Sequence, residues 1–150
     1  MNDFNQSAFA SSPLFNRPVD KKRIISSRDL MSAKVLIAYQ PIVNIAQNRV
    51  VWREGAARLI LDDNTVLAPG ELSEGQVRSK IMQMIDLGVL ERLERDLDQN
   101  PDLFATINVP IDSIASFEWH SRFRELVQEG SKFSGRIVVE IDEASTSAMP

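Results

Sequence analysis

Residues 103–109, Leu103-Phe104-Ala105-Thr106-Ile107-Asn108-Val109, decide the fold class together with two segments downstream: a helical stretch from Ser113 to about Glu129 and the run Ile137-Val138-Val139-Glu140-Ile141. A strand, a helix and a second strand in that order predict a parallel β/α unit, because parallel neighbours need a crossover too long for a tight turn. Such crossovers are right-handed, and their strands are normally buried on both faces, which suits near-continuous apolar runs. Immediately upstream, Ile81, Ile85, Val89, Leu93 and Leu97 recur every four residues, with Leu90 beside them and Glu91, Arg92, Glu94 and Arg95 mainly opposite. That spacing predicts an amphipathic helix of about five turns from Ser79, stopped by Asn100-Pro101. The second half of the chain is therefore read as α/β, with strands and helices in alternation.

Toward the N-terminus the pattern changes. Val35-Leu36-Ile37-Ala38-Tyr39 is a strand-type run that Pro41 is expected to interrupt, and Ser26 or Ser27 can cap a short helix through about Ala33. Asn44 to Asn48 is turn-rich and Arg49-Val50-Val51-Trp52 resumes the strand, so the first two strands are expected to be antiparallel neighbours. Asp62-Asp63-Asn64 marks a further turn, followed by a short extended piece at Thr65-Val66-Leu67 and a Pro69-Gly70 break. Residues 1–26 mix Asn, Ser and Pro with isolated Phe residues and the basic cluster Lys21, Lys22 and Arg23, without periodicity. They read as a flexible N-terminal arm, and residues 27–150 as the folded domain.

Composition narrows the function. With 150 residues, 43% apolar and 25% charged, the chain is near one ordinary globular domain. Its net charge of -4 argues against generic nucleic-acid binding, so no DNA partner is expected. The absence of cysteine excludes disulfides, thiolate zinc sites and cysteine nucleophiles. No run is long and apolar enough for a membrane span and no leader is evident, so a cytoplasmic location is expected.

In parallel β/α folds reactive groups sit at the C-terminal ends of strands. Three polar residues occupy such places: Glu54 after the second strand, Asn108 in the 103–109 run, and Glu140 after Ile137-Val138-Val139. Two carboxylates and a carboxamide oxygen gathered at one mouth form a hard-oxygen cluster suited to magnesium or manganese. Asp142, two residues beyond Glu140, would share its face, whereas Glu143 would not. His120, the single histidine, is read with Trp119 as part of a packed helix, and Met82 and Met84 as helix packing residues.

In order and approximate spacing these residues resemble the EAL family of cyclic-di-GMP phosphodiesterases. Tyr39-Gln40-Pro41-Ile42-Val43 is similar to the family's opening Tyr-Gln-Pro-Ile-Val, and Val50 to Arg58 to its signature segment, in which Glu-Ala-Leu is followed two residues later by Arg. Here Glu54-Gly55-Ala56 stands in place of Glu-Ala-Leu. Leu67 to Leu72 resembles the Ser-Pro-x-Glu-Phe-Ile segment, Ile85 to Leu90 the Asp-x-Trp-Val-Leu helix, Ile107-Asn108-Val109 the Asn strand, and Val139 to Glu143 the Glu-Leu-Thr-Glu strand, with Asp142 replacing Thr.

The resemblance implies the N-terminal half of a TIM-type β/α barrel with an antiparallel first strand. It implies Glu54, Asn108 and Glu140 as metal ligands, holding magnesium or manganese weakly, and Gln40 and Arg58 as contacts to the dinucleotide, Arg58 through a phosphate. A guanidinium offers a rigid fork of donors to phosphate oxygens. The plainer alternatives are a surface ion pair for Arg58 and a turn-stabilising amide for Gln40.

The family's Asp-Asp-Phe-Gly-x-Gly loop, catalytic Lys and later Glu and Gln positions find no counterpart in the sequence, so no catalytic residue is assigned and hydrolysis by this chain alone is not expected. Ala56 for Leu also removes apolar contact near the site, worth on the order of 2 kcal/mol if buried. The open edge at Ile137-Val138-Val139 is expected to seek a protein partner or a second copy. Three functions stay open: a non-catalytic module that senses cyclic-di-GMP or binds a protein, part of an active metal-dependent phosphodiesterase, and an α/β scaffold protein without a nucleotide site.

Overall fold

The computed structural model describes residues 25–72, 76–128 and 130–141. The arm expected over residues 1–26 lies, up to residue 24, outside the described residues, as do Asp142 and Glu143. Helix α1, Ser27–Ser32, starts at Ser26, whose hydroxyl accepts from the Asp29 N–H while the Asp29 carboxylate accepts from the Ser26 N–H, a reciprocal capping box. Strands β1, Lys34–Asn44, and β2, Arg49–Ile60, form the expected hairpin, with Asn48 in the left-handed region at φ 46°. A two-residue strand β3, Val66–Leu67, folds back antiparallel onto Leu59 and Ile60 of β2. Helix α2 is Gln76–Gln99, β4 is Ala105–Asn108, α3 is Ile111–Ile114, α4 is Phe117–Val127 and β5 is Ile137–Glu140.

The main order across the sheet is β1-β2-β4-β5, with β4 parallel to β2 and β5 parallel to β4. α2 forms one crossover and α3 with α4 the next, as expected of a partial β/α barrel with an antiparallel first strand.

Three expectations need correcting. Pro41 does not interrupt β1, which runs through it in register with Arg53. β1 is the outer strand of the sheet, and an edge is where a residue lacking an N–H is tolerated. The helix expected from Ser113 to Glu129 is two helices, because the Ser116 hydroxyl accepts from the Trp119 N–H and caps a new start. Met84, read as a packing residue, is half exposed, whereas Met82 does pack against the core.

The core lies between one face of the sheet and the helices. Leu59, Leu61, Ala105, Ile107 and Val109 meet Leu90, Leu93 and Leu97 of α2 and Trp119 and Leu126 of α4 in one buried cluster. α2 approaches β1 closely at Gly88, where an added Cβ would come within 2.8 Å of Val35 Cγ2, so any larger residue requires Val35 or the helix to shift. At its C-terminus α2 is held by Arg136, whose guanidinium donates to the carbonyls of Leu97, Asn100 and Leu103.

Candidate functional site

Alternation along each strand sends odd and even residues to opposite faces. In β2, Gly55, Ala57 and Leu59 turn to the helices, so Trp52, Glu54, Ala56 and Arg58 share the other, open face. The same reasoning places Gln40 of β1, Thr106 and Asn108 of β4, and Val138 and Glu140 of β5 on that face. Register then sets neighbours: Gln40 lies opposite Glu54, Glu54 beside Thr106, and Asn108 beside Glu140. The Asn108 carboxamide spans the gap, its Nδ2 donating to Glu54 Oε1 at 3.2 Å. All four of Gln40, Glu54, Asn108 and Glu140 thus belong to one patch on one face.

The expected place of Glu54, at the end of the second strand, is not where the structure has it. β2 continues six residues beyond it to Ile60, because the long hairpin with β1 and the return of β3 supply partners for that extension. Glu54 lies within the short stretch of β2, Arg53 to Gly55, that pairs with β4, so it still adjoins the strand ends of β4 and β5. Arg58 is on the same face, four residues on, which is about 13 Å along a strand. Its Nη1 donates to the carbonyl of Ala57 at 2.8 Å, and no acidic side chain of the described residues is paired with it.

Thr106 joins the patch without having been singled out by the sequence. It is buried beside Glu54, and its hydroxyl has no hydrogen-bond partner among the described residues. A buried polar atom without a partner is uncommon, and here it adds an oxygen next to the carboxylate. The signal is present in the sequence, since Thr106 is two residues before Asn108 and alternation puts both on one face.

Gly55 explains part of the departure from Glu-Ala-Leu. A Cβ at this position would meet Ile37 Cγ2 at 2.9 Å and the Thr106 carbonyl oxygen at 3.1 Å. With isoleucine in the neighbouring strand, glycine lets β1, β2 and β4 close up directly behind the candidate site. Ala56, on the open face, stands where the resemblance would have a leucine.

Among the described residues no group of three or more His, Asp or Glu side chains is placed to hold a metal ion. The oxygen set that does assemble is Glu54, Asn108, Glu140 and the Thr106 hydroxyl, hard donors of the kind magnesium, manganese or calcium take. It fits such a cation in chemical type and supplies few of its six or more ligands, leaving the balance to water or phosphate oxygens. His120 is exposed on α4 while Trp119 is buried and stacked on Phe123 with ring centroids 5.0 Å apart, in keeping with a packed helix.

No helix among the described residues is long and apolar enough to cross a membrane. The family model of the EAL domain matches residues 26–149. No curated protein sequence matches the chain. Among solved structures, an EAL domain protein from Listeria monocytogenes is similar at 26% identity and a TM-score of 0.65, over 81% of this chain and 51% of that one. The Bacillus subtilis YkuI protein, which has an EAL domain and was crystallised with c-di-GMP and calcium, is similar at 24% identity and a TM-score of 0.53, over 79% of this chain and 31% of that one. Vibrio cholerae LapD bound to c-di-GMP shares the fold at 15% identity and a TM-score of 0.65, over 86% of this chain and 34% of that one. The chain therefore spans about half the length of the Listeria protein and a third of the others. With the family model covering most of its length and its fold that of a partial TIM-type barrel, this chain belongs to the EAL domain family, a family of cyclic-di-GMP signalling.

Proposed function

We propose that the chain is a cyclic-di-GMP signalling module that acts by binding, through nucleotide sensing or a protein partner, rather than by hydrolysis. The observation that carries this reading is the single open-face patch of Gln40, Glu54, Asn108 and Glu140, with Arg58 farther along the same face of β2. The oxygen donors would hold one divalent cation weakly, and that cation would supply positive charge against a phosphate. Arg58 is the side chain for the second anionic contact: it has no acidic partner among the described residues, and its fork of donors matches phosphate oxygens. Gln40, opposite Glu54, can donate and accept at a base or sugar. Hydrolysis in two-metal sites needs a pair of cations about 3.5–4 Å apart held by converging carboxylates. Two carboxylates, one of them already accepting from Asn108, support a binding role better than that chemistry. Part of an active phosphodiesterase remains the second reading, favoured by the coexistence of Glu54, Asn108 and Glu140 in one patch.

Ile42, Phe104 and Val138 leave 38%, 39% and 39% of their surface exposed on the open face. This apolar exposure, with β5 at the edge of the sheet among the described residues, favours a protein partner or a second copy of the chain. The reading includes a cytoplasmic location, which the absence of cysteine permits.

Calorimetric titration with cyclic-di-GMP, first with magnesium and then with calcium, tests the proposal, with the magnesium sample assayed for linear product. Binding that is lost in Arg58→Ala, without turnover, supports a sensor. Absence of binding favours the protein-partner role, and turnover overturns the non-catalytic reading.

A further inference from the structure

Behind the patch, α2 and α3 are joined by a side-chain contact that the nucleotide reading does not use. Asp86 of α2 and Ser113 of α3 are both buried, at 6% and 2% exposure, and the Ser113 hydroxyl donates to Asp86 Oδ2. α3 has only four residues, its N-cap is Pro110, and no side chain caps it. It begins three residues after Asn108, the end of β4. The connecting segment is fixed on the sheet side by the Val109 N–H, which donates to the Glu140 carbonyl at 2.9 Å. Its other anchor is Ser113 on Asp86.

We propose that Asp86 and Ser113 are positioning residues, a proton-sensitive clasp that sets the β4–α3 segment and, through it, the Asn108 carboxamide against Glu54. This rests on the reading of the Glu54, Asn108 and Glu140 patch as the functional site and adds a means of regulating it. An ionised Asp86 accepts a charge-assisted bond from Ser113, and a protonated one makes a weaker neutral bond, so adding a proton loosens the anchor. No bond is made or broken beyond that proton, which is exchanged with solvent.

Burial pushes the Asp86 carboxyl up to about 6, against a smaller lowering by the Ser113 hydroxyl. Charged groups on the elements packed against α2 are engaged elsewhere. Tyr39 of β1 donates to Asp96, Arg122 of α4 pairs with Glu94 and Glu125, and Asp29 of α1 accepts from the Ser26 N–H. Asp112 of α3 and the other charges on these elements are exposed. The clasp therefore responds to proton concentration around pH 6.

Nuclear magnetic resonance on the isotope-labelled full chain without nucleotide tests this. The Asp86 carboxyl carbon and the Asn108 side-chain amide are followed through a pH series that brackets about 6. The expected result is one component of the Asn108 shift with the same midpoint as Asp86, abolished in Asp86→Asn. In Ser113→Ala the Asp86 midpoint moves higher and Asn108 ceases to follow it. Any component due to Glu54 survives in Asp86→Asn and is thereby separated. Asn108 shifts that ignore the Asp86 midpoint, or that keep it in Asp86→Asn, overturn the proposal. Since the wild-type titration needs neither a variant nor a nucleotide, its result is independent of whether cyclic-di-GMP binds.

Discussion

The two faces of the sheet are made differently. On the helix side, Leu59, Ala105 and Ile107 are at most 1% exposed and meet three leucines of α2. On the open side, chemistry-bearing side chains alternate with apolar ones that are half-buried or exposed: Glu54 beside Trp52, Asn108 near Phe104, Glu140 beyond Val138. Trp52 and Phe104 meet edge to face, with centroids 5.4 Å apart, yet Phe104 stays 39% exposed. One face holds the fold together, and the other carries the patch proposed to bind. The same strands serve both because side chains alternate.

The sharpest way to break that contrast is at the helix face. Leu93→Ala, at a site with no exposure, is expected to cost about 3–4 kcal/mol in denaturant unfolding. A loss below about 1 kcal/mol would show that the helix face does not carry the stability. Asp86→Asn is expected to act in the opposite direction. The Asp86 carboxyl is raised from 3.8 to about 6 in the folded chain, so the native state holds that proton more tightly than the unfolded state. Its contribution to stability is therefore present below about 4, falls as pH rises toward about 6, and is flat above. The shift corresponds to about 3 kcal/mol at most at neutral pH. Asp86→Asn should raise stability at neutral pH and flatten the unfolding profile over that interval, and an unchanged profile would rule out the buried carboxyl as its source.

Arg136→Ala removes three donors from carbonyls at and just beyond the end of α2 and should cost about 2 kcal/mol, measured by thermal melting. Gly55→Ala tests the tight packing directly behind the open face. With Ile37 closer than a Cβ tolerates and the Thr106 carbonyl tight against it, it should cost about 1–2 kcal/mol, and Ile37→Ala in the same chain should recover part of the loss. Val138→Thr on the open face should change monomer stability within about 0.5 kcal/mol. A larger drop, dependent on protein concentration, would show that Val138 is covered by a second copy.

Much of the fold is legible in the order of residues. The four-residue recurrence from Ile81 to Leu97 lies inside the observed helix Gln76–Gln99, and the 103–109 and 137–141 runs contain β4 and β5. The hairpin at Asn44 to Asn48 forms as its turn residues require. Pro41 defeats a local reading because whether a strand is an edge is a property of the sheet, not of the strand. Glu54 reads as a strand end because the apolar residues thin out there, whereas the length of β2 is set by β1 and β3.

The patch itself divides in the same way. Glu54, Asn108 and Glu140 were candidates by residue type and order, and Gln40 and Arg58 by the resemblance, since a carboxylate or a guanidinium is what it is before folding. That Asn108 donates to Glu54, that the Thr106 hydroxyl is left without a partner among the described residues, and that Asp86 is tied to Ser113 were decided only by the tertiary structure. The two contacts join residues 54 and 27 positions apart, and no local propensity specifies a partner at that separation. Only the packing of strands in register and helices across them does.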